Sequence, residues 1–122
     1  IVVQVSGSVR FEIENCRKSG SSISCRAFIT SLGKDQNIQL SYQSRIVDNN
    51  GLLFGWRGSQ VLGEKNLSTG SSTRWFVQDV RTGVELVFEA QTDQSSSKLS
   101  VIQIQFQDGT DRQVTFRNLA IS

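Results

Sequence analysis

The residues best equipped for chemistry in this chain are two cysteines, eleven carboxylates and two tryptophans, and histidine is absent. Losing histidine removes the commonest general base and metal ligand, and with it the Ser–His and Cys–His pairs of many hydrolases. The serines gather in turns, where backbone hydrogen bonding accounts for them, so serine catalysis is not expected. Two carboxylates flanking a cleft could hydrolyse a glycosidic bond. Glu12 with Glu14, and Glu85 with Glu89, share a strand face by period, yet no apolar cleft is legible around them. A solvated outer face is the simpler reading, and a carboxylate glycosidase is the least favoured function class. The chain is read as having no catalytic residue, no metal ligand and no cofactor.

Asp48-Asn49-Asn50-Gly51 and Asp108-Gly109-Thr110-Asp111 are rich in oxygen ligands but lack the spacing and bidentate Glu of an EF-hand. They read as β-turns before calcium loops. Trp56, in Gly55-Trp56-Arg57-Gly58, falls in a loop-like segment where aromatics tend to be exposed, whereas Trp75, in Arg74-Trp75-Phe76-Val77, reads as a core residue. Trp56, Arg57 and Trp75 are the candidate ligand contacts, an aromatic platform for sugar being the chemistry on offer. Packing in the core or at its rim is the favoured account for each tryptophan. Arg10, Arg17, Lys18 and Arg26 cluster in sequence, but Glu12 and Glu14 interrupt them, so a balanced surface is expected. Asn66-Leu67-Ser68 is a glycosylation sequon, with meaning only in a eukaryotic secretory host.

The elements that must hold these residues are strands. Apolar residues recur at every second position in Val3 and Val5, in Val9, Phe11 and Ile13, and in Ile23, Cys25, Ala27 and Ile29. The pattern continues through Ile38, Leu40, Tyr42 and Ile46, then Val84 to Ala90, Ile102 to Phe106, and Val114 with Phe116. Such alternation describes strands with one face buried and one in water, and no dozen residues show helical spacing. Turn signals fall at Lys18–Ser21, Asp48–Gly51, Arg81–Gly83 and Gln107–Asp111. Gly55 to Gly70 reads as irregular around a weak strand at Gln60–Leu62, and Thr92 to Lys98 as an exposed loop. The expected fold is all-β, a single domain over residues 1–122, with about eight or nine strands in a two-sheet antiparallel sandwich of immunoglobulin-like type.

Cys16 and Cys25 flank the first hairpin, and pairing residues whose numbers sum to 41 sets them opposite each other. Their phases conflict. Cys25 shares parity with Ile23, Ala27 and Ile29, but Cys16 is out of phase with Phe11 and Ile13. One extra residue near Glu14-Asn15 would reverse the alternation and bring Cys16 to the core face. A structural disulfide is the favoured reading, ahead of a buried free pair or a redox site. It implies an oxidising compartment.

Composition bounds the rest. At 122 residues the chain is long enough to bury a real core, and 37% hydrophobic with 20% charged residues is ordinary for a folded domain. A net charge of +2 argues neither for nucleic acid nor for an anionic membrane as partner. No apolar run approaches the roughly 20 residues of a membrane-spanning helix. Methionine is absent, so Ile1 is expected to be a mature or excised terminus.

Several segments together resemble a family of secreted bacterial Ig-like β-sandwich domains of unknown function, cyanobacterial in type. The resemblance runs through Phe11-Glu12-Ile13-Glu14-Asn15-Cys16, the Lys-Ser-Gly turn, and Ser24-Cys25-Arg26-Ala27-Phe28-Ile29-Thr30. It continues in Ser44–Asp48, Leu86–Glu89 and the terminal Phe116–Ser122, and it covers most of the chain. The Gly55–Gly70 region, with Trp56 and Arg57, departs from the pattern. The resemblance implies a non-catalytic, envelope-associated accessory module and supplies no catalytic residues. The function expected overall is an extracytoplasmic binding module whose loops at one end take a carbohydrate or a protein. A purely structural domain of a larger surface protein is the alternative.

Overall fold

The computed structural model describes residues 1–92 and 98–121. The serines at 95–97, read from sequence as part of an exposed loop, lie outside the described residues. The described chain is all-β and antiparallel, without helix. The first hairpin pairs β2 (Val9–Ser19) with β3 (Ser22–Ser31), and β1 (Val2–Ser6) flanks β2. Its turn needs Gly20, whose φ of 61° lies in the left-handed region that L side chains avoid. β4 (Gln36–Leu40) and β5 (Arg45–Asp48) follow, then β6 (Leu53–Val61) and the two-residue β7 (Ser68–Thr69). β8 (Ser72–Phe76), β9 (Thr82–Glu89), β10 (Lys98–Gln107) and β11 (Asp111–Ala120) complete the chain.

Hydrogen bonding links these eleven strands into one sheet, in the order β1-β2-β3-β9-β6-β5-β10-β4-β8, with β11 on β10 and β7 on β6. This differs from the expected eight or nine strands divided between two sheets. The joint is β6, because Gly55 pairs with Arg45 of β5 and also with Glu89 of β9. The glycine-punctuated segment read as irregular is thus an interior strand. Glycine marks a close approach there, since a Cβ on Gly58 would collide with the Ser68 carbonyl of β7. β4 and β5 behave as one interrupted strand, β5 pairing with Leu99 to Gln103 of β10 and β4 with Phe106 and Gln107.

The sheet rolls so that its apolar side closes on itself. Phe11 of β2 and Phe106 of β10, distant in hydrogen-bonded order, have ring centroids 4.8 Å apart. β1 and β11 lie alongside each other without forming a ladder. The predicted alternation supplies the core: Val9, Phe11, Ile13, Ile23, Ile29, Ile46, Leu86, Phe88, Ile102, Ile104 and Phe106 are all buried. Three residues depart from it. Val3 and Val5 are exposed because they oppose Glu12 and Arg10 on the outer side of β2, and Tyr42 is exposed because it lies in the break between β4 and β5. The Arg81–Gly83 turn also moves, since Thr82 and Gly83 already pair within β9.

The cysteine hairpin follows the bulge derivation. Ile13 opposes Ala27 and Asn15 opposes Arg26, leaving Glu14 as the extra residue. Beyond it Cys16 faces Cys25 at a Cα separation of 4.0 Å, and the two form a disulfide with both cysteines buried. Cross-linking so short a loop stabilises by about 2.7 kcal/mol in the chain-entropy account.

Candidate functional site

The two tryptophans lie in different environments. Trp56 lies within β6 and packs edge-on against Phe88, ring centroids 5.3 Å apart. Its indole N–H donates to the Gly70 carbonyl at 2.8 Å, so both the ring and its polar handle are used internally. Trp75 lies in β8 with 61% of its surface exposed. The parity of β8 explains this: Ser72, Arg74 and Phe76 turn inward, leaving Thr73 and Trp75 outside. Arg57 is exposed and sits 3.7 Å from Glu89, well away from β8 in the strand order. Of the three candidates, Trp75 is the one that presents an open aromatic surface.

What surrounds Trp75 was not singled out from sequence. In an antiparallel ladder, directly opposed residues point to the same side. Trp75 opposes Asn37 and Thr73 opposes Gln39 across β8 and β4, Gln39 opposes Gln107 of β10, and Gln107 opposes Asp111 of β11. Gln105 opposes Gln113 one step along. The outer side of β8-β4-β10-β11 thus carries mostly amides and hydroxyls, with Asp111 and Arg117 towards the two ends of β11 and one indole at the sheet's edge. The signal was present in Ile102-Gln103-Ile104-Gln105-Phe106-Gln107, where every outward position of a strand is glutamine.

A cleft of about 190 Å³ opens in this face, lined by Gln39, Ser41, Gln43, Gln105, Gln107 and Asp111, with Arg112 and Phe106 beneath. Its two charged side chains each make an internal hydrogen bond. The Gln107 amide donates to Asp111 at 2.5 Å, and Arg112 Nε donates to both oxygens of Asp108 at 2.8 and 2.9 Å. Burial by itself would push the Asp108 carboxyl up. The hydrogen bond and charge of Arg112, with the backbone N–H groups of Ser8 and Thr110, outweigh it and hold the carboxyl below its ordinary value.

The remaining candidate chemistry resolves into structural pairings. Glu12 accepts from Arg81 at 3.1 Å and lies 3.6 Å from Arg10, and Arg81 also stacks over the Phe28 ring at 3.5 Å. Glu85 accepts from Arg26 at 2.6 Å and from Ser24 at 2.8 Å. Four strand residues separate Glu85 from Glu89, about 13 Å, beyond the roughly 5–9.5 Å between glycosidase carboxylates. Asp48 Oδ1 accepts the backbone N–H groups of Asn50 and Leu52 at 2.9 and 2.8 Å, the work of a turn. Ser31-Leu32-Gly33-Lys34 has a Ser-x-x-Lys spacing, but the buried Ser31 hydroxyl donates to the Lys34 backbone carbonyl at 2.6 Å and accepts from the Gln36 amide at 2.8 Å. A second crevice of about 180 Å³ opens at the β1–β11 seam between Ile1, Val2, Ile13 and Leu119. Among the described residues no cluster of acidic or cysteine side chains could hold a metal ion, and no helix is long and apolar enough to cross a membrane.

Comparison of the chain with protein-family models, with curated proteins and with solved structures yields no match.

Proposed function

We propose that this chain is a non-catalytic, extracytoplasmic carbohydrate-binding module that binds through the outer face of β8-β4-β10-β11. The single observation behind this reading is the pairing of an exposed indole with an amide-lined cleft on one side of one sheet. A sugar ring offers an apolar face to an aromatic platform, and its hydroxyls both donate and accept hydrogen bonds, as primary amides do. Placement outside the cytoplasm is supported by the buried disulfide, since such bonds persist in oxidising compartments. We also read the rolled sheet as the two layers of an Ig-like sandwich, a reading supported by the Phe11–Phe106 contact across its interior.

The binding surface in this proposal is a sheet face in place of loops at one end. Nuclear magnetic resonance footprinting against glycan pools tests it. Expected are shifts confined to the Trp75 indole and the side-chain amides of Asn37, Gln39 and Gln105. Shifts centred instead on the loop around Asn49 and Asn50, or no shift with any pool, overturn it.

A further inference from the structure

Resting on that reading of the face, we infer that the ligand is an uncharged oligosaccharide, at least two sugar units long, lying from Trp75 across into the amide cleft. Charge is the first argument. Most groups lining the cleft are neutral amides and a hydroxyl; of the two charged ones, Arg112 is ion-paired through Nε with Asp108, and Asp111 accepts from the Gln107 amide on one oxygen. An anionic sugar entering there would face the Asp111 charge with Arg112 already paired to Asp108, and a cationic one would meet a single carboxylate among neutral amides. A neutral hydroxyl meets matched donors and acceptors at no electrostatic cost.

Length is the second argument. Trp75 and Gln39 are diagonal neighbours on β8 and β4, and such pairs lie about 7–8 Å apart. One sugar ring cannot stack on the indole and fill the cleft together. The row Thr73, Gln39, Gln107, Asp111 crosses four strands, three intervals of about 4.8 Å, so the platform continues about 14 Å across the sheet. The cleft, at about 190 Å³, is also smaller than the roughly 300–1,000 Å³ of sites that enclose a whole small molecule. It suits one unit of a chain whose remainder lies on the open face.

Arg45 is the nearby competitor. It shares this side of the sheet, opposes Gln103, and donates to the Gln103 amide oxygen at 2.8 Å. It stands beyond the cleft, which is why binding is assigned to the amides.

The test titrates the intact oxidised protein with neutral oligosaccharides, the corresponding monosaccharides, and uronate-bearing oligosaccharides of equal length, following Trp75 by fluorescence and the face by resonance shifts. Expected are binding of at least one neutral oligosaccharide roughly tenfold or more tighter than its monosaccharide, and no loss of affinity between low and high salt. W75A and Q105A should each weaken it about tenfold or more with unchanged thermal unfolding, and R45Q should leave it unaltered. Preference for the uronate ligand, salt-sensitive affinity, or loss of binding in R45Q overturns the neutral assignment while shifts on this face keep the face itself. A monosaccharide binding as tightly as the oligomer overturns the span. Absence of shifts on the face with every glycan overturns both the ligand and the face.

Discussion

Deleting Glu14 should leave the disulfide and the fold intact, whereas deleting Glu12 should not. In β2 the pairing runs Ile13 with Ala27, Asn15 with Arg26 and Cys16 with Cys25, so Glu14 is the residue without a partner. Removing it yields regular alternation: Ile13 inward, Asn15 outward, Cys16 inward, every existing pair retained. The cost is the local twist of the bulge, on the order of 1 kcal/mol or less. Removing Glu12 also keeps Cys16 opposite Cys25, but only by drawing Ile13 into an outward position and Glu14 into the inward one facing Ala27. Ile13 is 3% exposed, so expelling it forfeits about 1.5–3 kcal/mol. Burying a carboxylate against Ala27, itself fully buried, adds roughly another 1–3 kcal/mol before any loss of the Arg81 contact. If the strand refuses that exchange, the cysteines lose register and the disulfide's stabilisation of about 2.7 kcal/mol goes instead. Denaturant unfolding measures the difference, and mass spectrometry after thiol alkylation counts the free cysteines. The two deletions should differ by about 1.5 kcal/mol or more, with no free thiol in the Glu14 deletion. Equal destabilisation, or alkylated cysteines in the Glu14 deletion, would refute the bulge as the device that orients Cys16.

Asp108 makes stability fall in acid. Because its folded carboxyl titrates below the ordinary value of about 3.9, the unfolded chain takes up that proton first as pH drops. Its contribution is complete above that ordinary value and decays as pH falls through the folded one. D108N should therefore be less stable at neutral pH and show a flatter acid limb in pH-dependent thermal unfolding; parallel acid limbs would contradict this. G58A should destabilise by about 1–3 kcal/mol in urea, because the new methyl collides with the Ser68 carbonyl and β7 must move. A cost below a few tenths would show that the approach of β7 is soft. W56F keeps a ring against Phe88 but leaves the Gly70 carbonyl without its indole donor, and should cost about 1–2 kcal/mol by the same assay. It should also leave glycan binding unchanged, and a W56F variant that loses binding would place Trp56, not Trp75, at the ligand.

The legibility of each element tracks how local its cause is. The conflict of parity between Ile13 and Cys16 is a property of four adjacent residues, and it predicted a bulge within one residue of where it lies. The turns around Gly20, Gly51 and Gly109 were equally local, and all three glycines have positive φ. Gly58 misled because glycine marks a loop in one setting and a close strand crossing in another. Only the position of β7 tells these apart. Trp75, read as core, is exposed for the same reason, while Trp56 is packed, though within a strand instead of a loop. Neighbouring glycines suggested exposure for one and an adjacent Phe76 suggested burial for the other, while their strands' partners decided the outcome.

By itself the sequence determined the long strands β2, β3, β9, β10 and β11, the inward-facing core and the cysteine pair, because alternation with period two and turn chemistry act over a few residues. Tertiary structure alone decided that β6 joins the strands into one sheet, and that β4, β8, β10 and β11 lie side by side. That adjacency gathers Trp75, Gln39, Gln105 and Gln107 from segments far apart in the chain onto one face. The physical reason is that strand pairing is a long-range choice made by burial of the opposite, apolar side, so the face left to solvent is composed without any local signal of its neighbours.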